Sequence, residues 1–143
     1  MTVIFSKKCE YGIQAVLYLA ANLDDEVIPV DIIAGKLNIP KEFVSKILQS
    51  LVESGIVSSK KGKKGGFSLA KSPSKIRLID VVAAIDGLDI FNNCVLGFPQ
   101  CSPDHPCPVH DNWGALRTQA YNMLTDETLD KFKEKTLNKV KNL

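Results

Sequence analysis

A mainly α-helical fold is predicted by three features of this 143-residue chain. Apolar residues recur at helical spacing through most of its length, strand-like runs are confined to two short pieces between residues 56 and 69, and aperiodic, proline-rich sequence is gathered in residues 88–109. The length suits one domain of ordinary size. No apolar run approaches the roughly 18 residues of a membrane span, so no membrane role is expected. Met1-Thr2-Val3-Ile4-Phe5 precedes Lys7-Lys8, the reverse of a secretory leader, so a cytoplasmic location is expected. In that compartment cysteines serve as metal ligands or redox groups more often than as disulfides.

Ser6 is positioned to cap a first helix, along which Ile13, Val16, Leu17 and Ala20 recur at i, i+3, i+4 and i+7. Asp24-Asp25-Glu26 makes a turn. A short second helix carries Val30, Ile33, Ala34 and Leu37 on one face, and Asn38-Ile39-Pro40 interrupts it. Pro40 suits the first position of a third helix, which buries Phe43, Val44, Ile47, Leu48 and Leu51 and stops at Gly55. Its opposite face holds Glu42, Ser45, Lys46 and Gln49. Two helices joined by a tight turn, the second with a polar outer stripe, form a helix-turn-helix pattern.

Ile56-Val57-Ser58-Ser59 and Phe67-Ser68-Leu69 then flank a Lys/Gly segment, giving a small β-hairpin whose glycines supply positive φ. A hairpin directly after such a helix makes the whole a winged helix-turn-helix. Leu78, Val81, Val82 and Ile85 mark a fourth helix ending near Gly87. The stretch 88–109 lacks periodicity, and ordered loops of that length are usually functional. Trp113, Leu116, Ala120 and Met123 mark a long C-terminal helix that ends before Thr125, and Thr125 caps a last segment with a frayed tail. The predicted organisation is residues 1–87 as a DNA-binding unit, 88–109 as a cysteine-bearing loop, and 110–143 as a dimerisation helix and tail.

Charge and cysteines acquire meaning from position. Residues 1–75 hold 11 lysines and 7 acids, a net of +4, whereas residues 76–143 hold 7 basic and 9 acidic residues, a net of −2. Lys60, Lys61, Lys63 and Lys64 crowd the hairpin tip, where they suit phosphate contact, which adds affinity but little sequence information. Third-helix side chains reach base edges if that helix enters a major groove. The candidate DNA contacts are therefore Lys41, Glu42, Ser45, Lys46 and Gln49 on the helix, and Ser59, Lys60, Lys61, Lys63, Lys64 and Gly65 on the wing. One such unit covers one half-site, so specific binding calls for a two-fold dimer on a palindromic operator, with the Trp113 helix as its contact.

Cys94, Cys101 and Cys107 are spaced C-x6-C-x5-C, with His110 at C-x2-H. Three soft thiolates in one loop suit zinc or an iron–sulfur cluster, and spacing alone does not separate the two. Cys9 falls outside this group and reads as packing. His105 reads as an exposed turn residue. Glu10 complements the first-helix dipole by default, and becomes an alternative fourth ligand if a dimer partner's loop packs there. A Cys107/His110 nucleophile pair is set aside because nothing resembles an oxyanion hole, so no enzyme is expected.

Phe5-Ser6-Lys7-Lys8-Cys9-Glu10-Tyr11-Gly12-Ile13-Gln14-Ala15 resembles the opening of the Rrf-type winged helix-turn-helix transcriptional regulators. So do Ile56-Val57-Ser58-Ser59, the wing ending Gly65-Gly66-Phe67, and Ile76-Arg77-Leu78-Ile79-Asp80-Val81-Val82 with Ile85-Asp86-Gly87. The resemblance runs from about residue 4 to about residue 130. It implies a dimeric transcription factor, typically a repressor, joined through the long C-terminal helix. The three-cysteine loop resembles the iron–sulfur (IscR/NsrR-like) branch, which implies Cys94, Cys101 and Cys107 as ligands of a cluster sensing iron, redox state or nitric oxide. His110 matches the fourth ligand of the 2Fe-2S members, favouring 2Fe-2S over 4Fe-4S, while Glu10 matches the helix-one carboxylate of the nitric-oxide-sensing branch. A structural zinc or a thiol redox switch is the alternative. The chain departs from the family in its six-residue first gap, in Lys63-Lys64 where Pro-Gly is common, and in Ser45 where IscR-like members carry Glu.

Overall fold

The computed structural model describes residues 4–141; Met1, Thr2 and Val3 of the expected leader comparison and the last two residues of the 110–143 tail lie outside them. Its elements are α1 (Lys7–Ala21), α2 (Val30–Leu37), α3 (Lys41–Glu53), β1 (Val57–Lys60), β2 (Gly66–Leu69), α4 (Leu78–Ile85), α5 (His110–Thr125) and α6 (Lys133–Lys141), with short 3-10 turns at Pro73–Lys75, Asp89–Phe91 and Leu129–Phe132. No helix among the described residues is long and apolar enough to cross a membrane.

Helix α1 is the axis of the fold, packing against α3, α4 and α6. Ser6 caps it as expected, its Oγ accepting from the Cys9 N–H at 3.1 Å. The Ser6 N–H also donates to Asp86 Oδ2 at 2.8 Å, which ties the start of α1 to the end of α4. Gly12 allows the helices to approach: a Cβ there would overlap Ile85 Cδ1 and sit 3.2 Å from Ile47 Cγ2. Val16, Ile33, Val44, Leu48, Leu51, Ile76, Val81 and Leu129 form the main core. A smaller cluster of Cys9, Ile79, Val82 and Leu124 docks α5 onto α1 and α4.

The α2–α3 turn is made by Asn38 in the left-handed conformation (φ 55°), with its N–H on Ala34 O. Pro40 caps α3 rather than opening it, one position from expectation. Phe43 overturns a second expectation. Val44, Ile47, Leu48 and Leu51 are buried, but Phe43 is 56% exposed. One residue is about 100° of helix, so Phe43 falls on the flank shared with Lys46, beyond the face that α3 turns to the core.

The wing is an antiparallel β1–β2 pair with Val57 opposite Leu69 and Lys60 opposite Gly66. Ile28 adds a bridge on its other edge, exchanging hydrogen bonds of 2.8 and 2.9 Å with Phe67. The glycines divide their work. Gly62 has the expected positive φ (107°), whereas Gly65 and Gly66 provide close approach instead. A Cβ on Gly65 would overlap the Lys60 carbonyl oxygen, and one on Gly66 would overlap that of Ile28. Gly66→Ala is therefore expected to destabilise the fold by about 1–3 kcal/mol, read by chemical denaturation, because rigid backbone must move. A variant as stable as the parent would contradict that packing.

The C-terminus also differs from expectation. Thr125 completes α5 rather than capping the next element, its Oγ1 donating to Tyr121 O at 2.9 Å. The next turn starts at Thr128, and the Leu129 N–H donates to Ile76 O at 2.8 Å. The tail is helical to Lys141, with Val140 against the core.

Candidate metal centre and nucleic-acid interface

The cysteine loop is shaped by its own short contacts and fastened to α5. Gly97 (φ 81°) and Gln100 (φ 57°) reverse the chain between Cys94 and Cys101. Ser102 Oγ accepts from the His105 N–H at 3.2 Å, making a second turn before Cys107. Trp113 Nε1 donates to Asn93 O at 2.9 Å, and Arg117 donates to Phe91 O at 3.1 Å. Phe91 and Tyr121 meet edge to face, 5.4 Å between ring centroids. Those α5 side chains hold the first limb of the loop over the helix whose first residue is His110.

The result brings the Sγ atoms of Cys94, Cys101 and Cys107 within 4.8 Å of one another, all three half-buried. Cys94 Sγ is 3.5 Å from Cys107 Sγ, and Cys101 Sγ is 3.1 Å from His110 Nδ1. His110 thus joins the group through one member. Glu10 does not: this chain pairs it with Lys7 at 3.2 Å on α1. His105 is exposed.

The thiols differ in acidity. At Cys94 burial opposes ionisation, but the Phe98 and Leu96 N–H groups and the neighbouring Cys107 and Cys101 outweigh it and bring the thiol down to about 7. At Cys107 burial, with Cys94 and Cys101 beside it, raises the thiol despite the Val109 N–H. Cys9 is different in kind. Burial first and Asp86 second push it up to about 12, so it stays a packed thiol. Arg117, which the spacing of the cysteines could not reveal, lines the same cavity of about 270 Å³ as the three cysteines and His110. Its Nε is buried with no hydrogen-bond partner among the described residues. Soft donors, an adjacent imidazole and a cation without a carboxylate partner fit an anionic metal–sulfur group.

Across the molecule, α3 and the wing meet in one cleft of about 420 Å³. Gln49, Ser59, Lys60, Lys61, Lys63 and Gly65 all line it, together with the start of α2. Lys41, Glu42, Lys46, Gln49 and Lys64 are exposed, and Ser45 is half-buried. Two of the cations are already engaged: Lys41 pairs with Asp31 at 2.8 Å and Lys60 with Glu26 at 3.4 Å. Lys46, Lys61, Lys63 and Lys64 have no ion-pair partner among the described residues.

Comparison with known proteins gives a consistent result. The family model described as "Rrf2: Iron-dependent Transcriptional regulator" matches residues 5–135. An HTH-type transcriptional regulator assigned in Aquifex aeolicus is 36% identical over 129 residues, covering 89% of each chain. One assigned in Mycobacterium tuberculosis (strain H37Rv) is 33% identical over 126 residues, 87% of this chain and 77% of that protein. Among solved structures, CymR, the global cysteine regulator of B. subtilis, superposes with a TM-score of 0.76 at 20% identity, over 93% of this chain and 98% of that one. IscR of T. potens superposes with a TM-score of 0.70 at 23% identity, over 94% and 88%. At those identities the two structures bear on the fold, which is the winged helix fold expected.

Proposed function

Since the chain belongs to the Rrf2 family of transcriptional regulators, and so to DNA-binding proteins rather than enzymes, we propose that it is a homodimer that senses iron, redox state or nitric oxide through an iron–sulfur cluster. The observation carrying this reading is the convergence of three thiols within 4.8 Å in a loop fastened to α5. Cys94, Cys101 and Cys107 would hold the group, and His110, beside Cys101, is the fourth ligand this chain offers. This ligand set resembles that of the 2Fe-2S members of the family, which favours 2Fe-2S over 4Fe-4S. Glu10 would serve only if a partner protomer brought its α1 to the loop. Such a cluster supplies one-electron chemistry and an iron open to attack.

The protein's own part is transmission. Residues 88–109 join α4 of the winged unit to α5, and Trp113 and Arg117 couple the backbone of that loop to the helix. Leu116 and Met123 on α5 are 57% and 60% exposed, an apolar stripe that suits a two-fold contact. A shift in α5 pairing changes the separation of two recognition helices, and only one separation, about 34 Å, fits successive major grooves of a palindromic duplex. The signal is then a population shift between dimer geometries. Acting on DNA gives the protein a cytoplasmic location.

Protein purified without oxygen is expected to absorb in the visible and to contain iron and acid-labile sulfide in similar amounts. Colourless protein with one bound zinc would overturn the cluster. The 3.5 Å approach of Cys94 to Cys107 favours a second reading, a thiol switch. Colourless, metal-free protein with a reversible Cys94–Cys107 disulfide would establish that instead.

A further inference from the structure

We propose that Phe43 is an apolar base reader, its ring taking the C5-methyl of a thymine in the major groove. The inference rests on α3 being the helix that enters the groove. Phe43 sits in the first turn of α3 and is 56% exposed. The N-terminal residues of a recognition helix are the ones that meet base edges. Its helical neighbour at i+3 is Lys46, exposed and without an ion-pair partner among the described residues, and Gln49, further along the same helix, shares a cleft with Lys61 and Lys63 of the wing. That setting suits a polyanion and disfavours an apolar protein partner.

Chemistry narrows the contact further. A phenyl ring has no donor or acceptor to offer a phosphate. The thymine methyl is the one apolar group on the major-groove edges of the four ordinary bases. Its neighbours supply the polar half of such a reading, since Glu42 can accept from cytosine N4 and Gln49 can pair with adenine. Of the other large exposed apolar residues, Leu116 and Met123 lie on α5, Val95, Leu96 and Phe98 in the cysteine loop, and Ile32 on α2, so Phe43 is the one that α3 itself presents.

The test uses full-length protein and a duplex enriched by the wild type from a randomised pool. Each thymine is replaced in turn by deoxyuridine, which removes only the methyl. For the wild type, one thymine per half-site should cost about fourfold in affinity when replaced, the value of one buried methyl group. Phe43→Ala should bind the thymine duplex about tenfold more weakly, in line with a lost aromatic contact, and should be indifferent to that replacement. Phe43→Leu should retain the methyl sensitivity in part. Because the ring is largely exposed, both variants should melt with the wild type. Unchanged uracil sensitivity in Phe43→Ala would overturn the inference, as would a variant that binds normally but fails to dimerise, which would place the ring against a partner protomer. Failure of the wild type to enrich any duplex would sink the DNA reading along with it.

Discussion

Serine at any one of Cys94, Cys101 or Cys107 is expected to strip the protein of iron while leaving its winged unit folded. Removing a ligand should cost more than the roughly 10–100-fold lost when an outer partner of a ligand is mutated, because a serine hydroxyl is a harder donor and stays protonated where a thiol ionises. Stability should change little, within about 0.5–1 kcal/mol. The three cysteines are only half-buried, and Val95, Leu96 and Phe98 between them face solvent, whereas the main core is built from α1–α4, the wing and Leu129. Cys9→Ala should behave in the opposite way. Cys9 is fully buried against Ile79, Val82 and Leu124, so its truncation should cost on the order of 1 kcal/mol and leave iron unchanged. Iron and sulfide content beside a denaturation curve for each variant separates these outcomes. A collapse of the whole fold in the loop variants would point to a structural metal, contrary to the sensor reading.

Helices α1 to α4 were legible because each carries both a periodic apolar face and a local boundary signal: Ser6 caps the start of α1, and Asn38, Gly55 and Gly87 follow α2, α3 and α4 with positive φ. Phe43 was misplaced for the reason that hydrophobicity and position disagree there, and only the packed partners of α3 decide which residues face inward. The Ile28–Phe67 bridge leaves no periodic trace, since a single residue pair 39 positions apart has no pattern to repeat. Tail helix α6 was hidden by its lysines, which mask the packing of Val140 against the core. At the metal centre the cysteines announced themselves by spacing. Trp113 and Arg117 did not, because their loop partners lie 20 and 26 residues away. The lysines of α3 and the wing were visible in the sequence, but their inequality was not: Glu26, which engages Lys60 of the wing, precedes it by a whole helix-turn-helix, and Asp31, which engages Lys41 of α3, precedes it by the length of α2.

That inequality gives the second large effect. Changing Lys61, Lys63 and Lys64 together to alanine is expected to weaken binding to every duplex alike, by on the order of 500-fold for each protomer near 0.1 M salt, and to reduce the slope of log affinity against log salt by about 2.7 for each protomer, from roughly 0.9 per phosphate released. All three side chains are exposed on or beside the wing tip, so the melting transition should not move. Lys60→Ala should cost less than any of the three, because its ammonium must first leave Glu26, 3.4 Å away. Glu26→Gln should accordingly strengthen non-specific binding and steepen the salt dependence, since it frees Lys60 and removes an anion from the same face. Titrations at several salt concentrations on two unrelated duplexes decide the matter. If the triple variant lost affinity for one sequence only, the lysines would be reading bases; if its salt slope matched that of the wild type, the phosphates would lie elsewhere on the molecule and the cleft between α3 and the wing would not be the groove-facing surface.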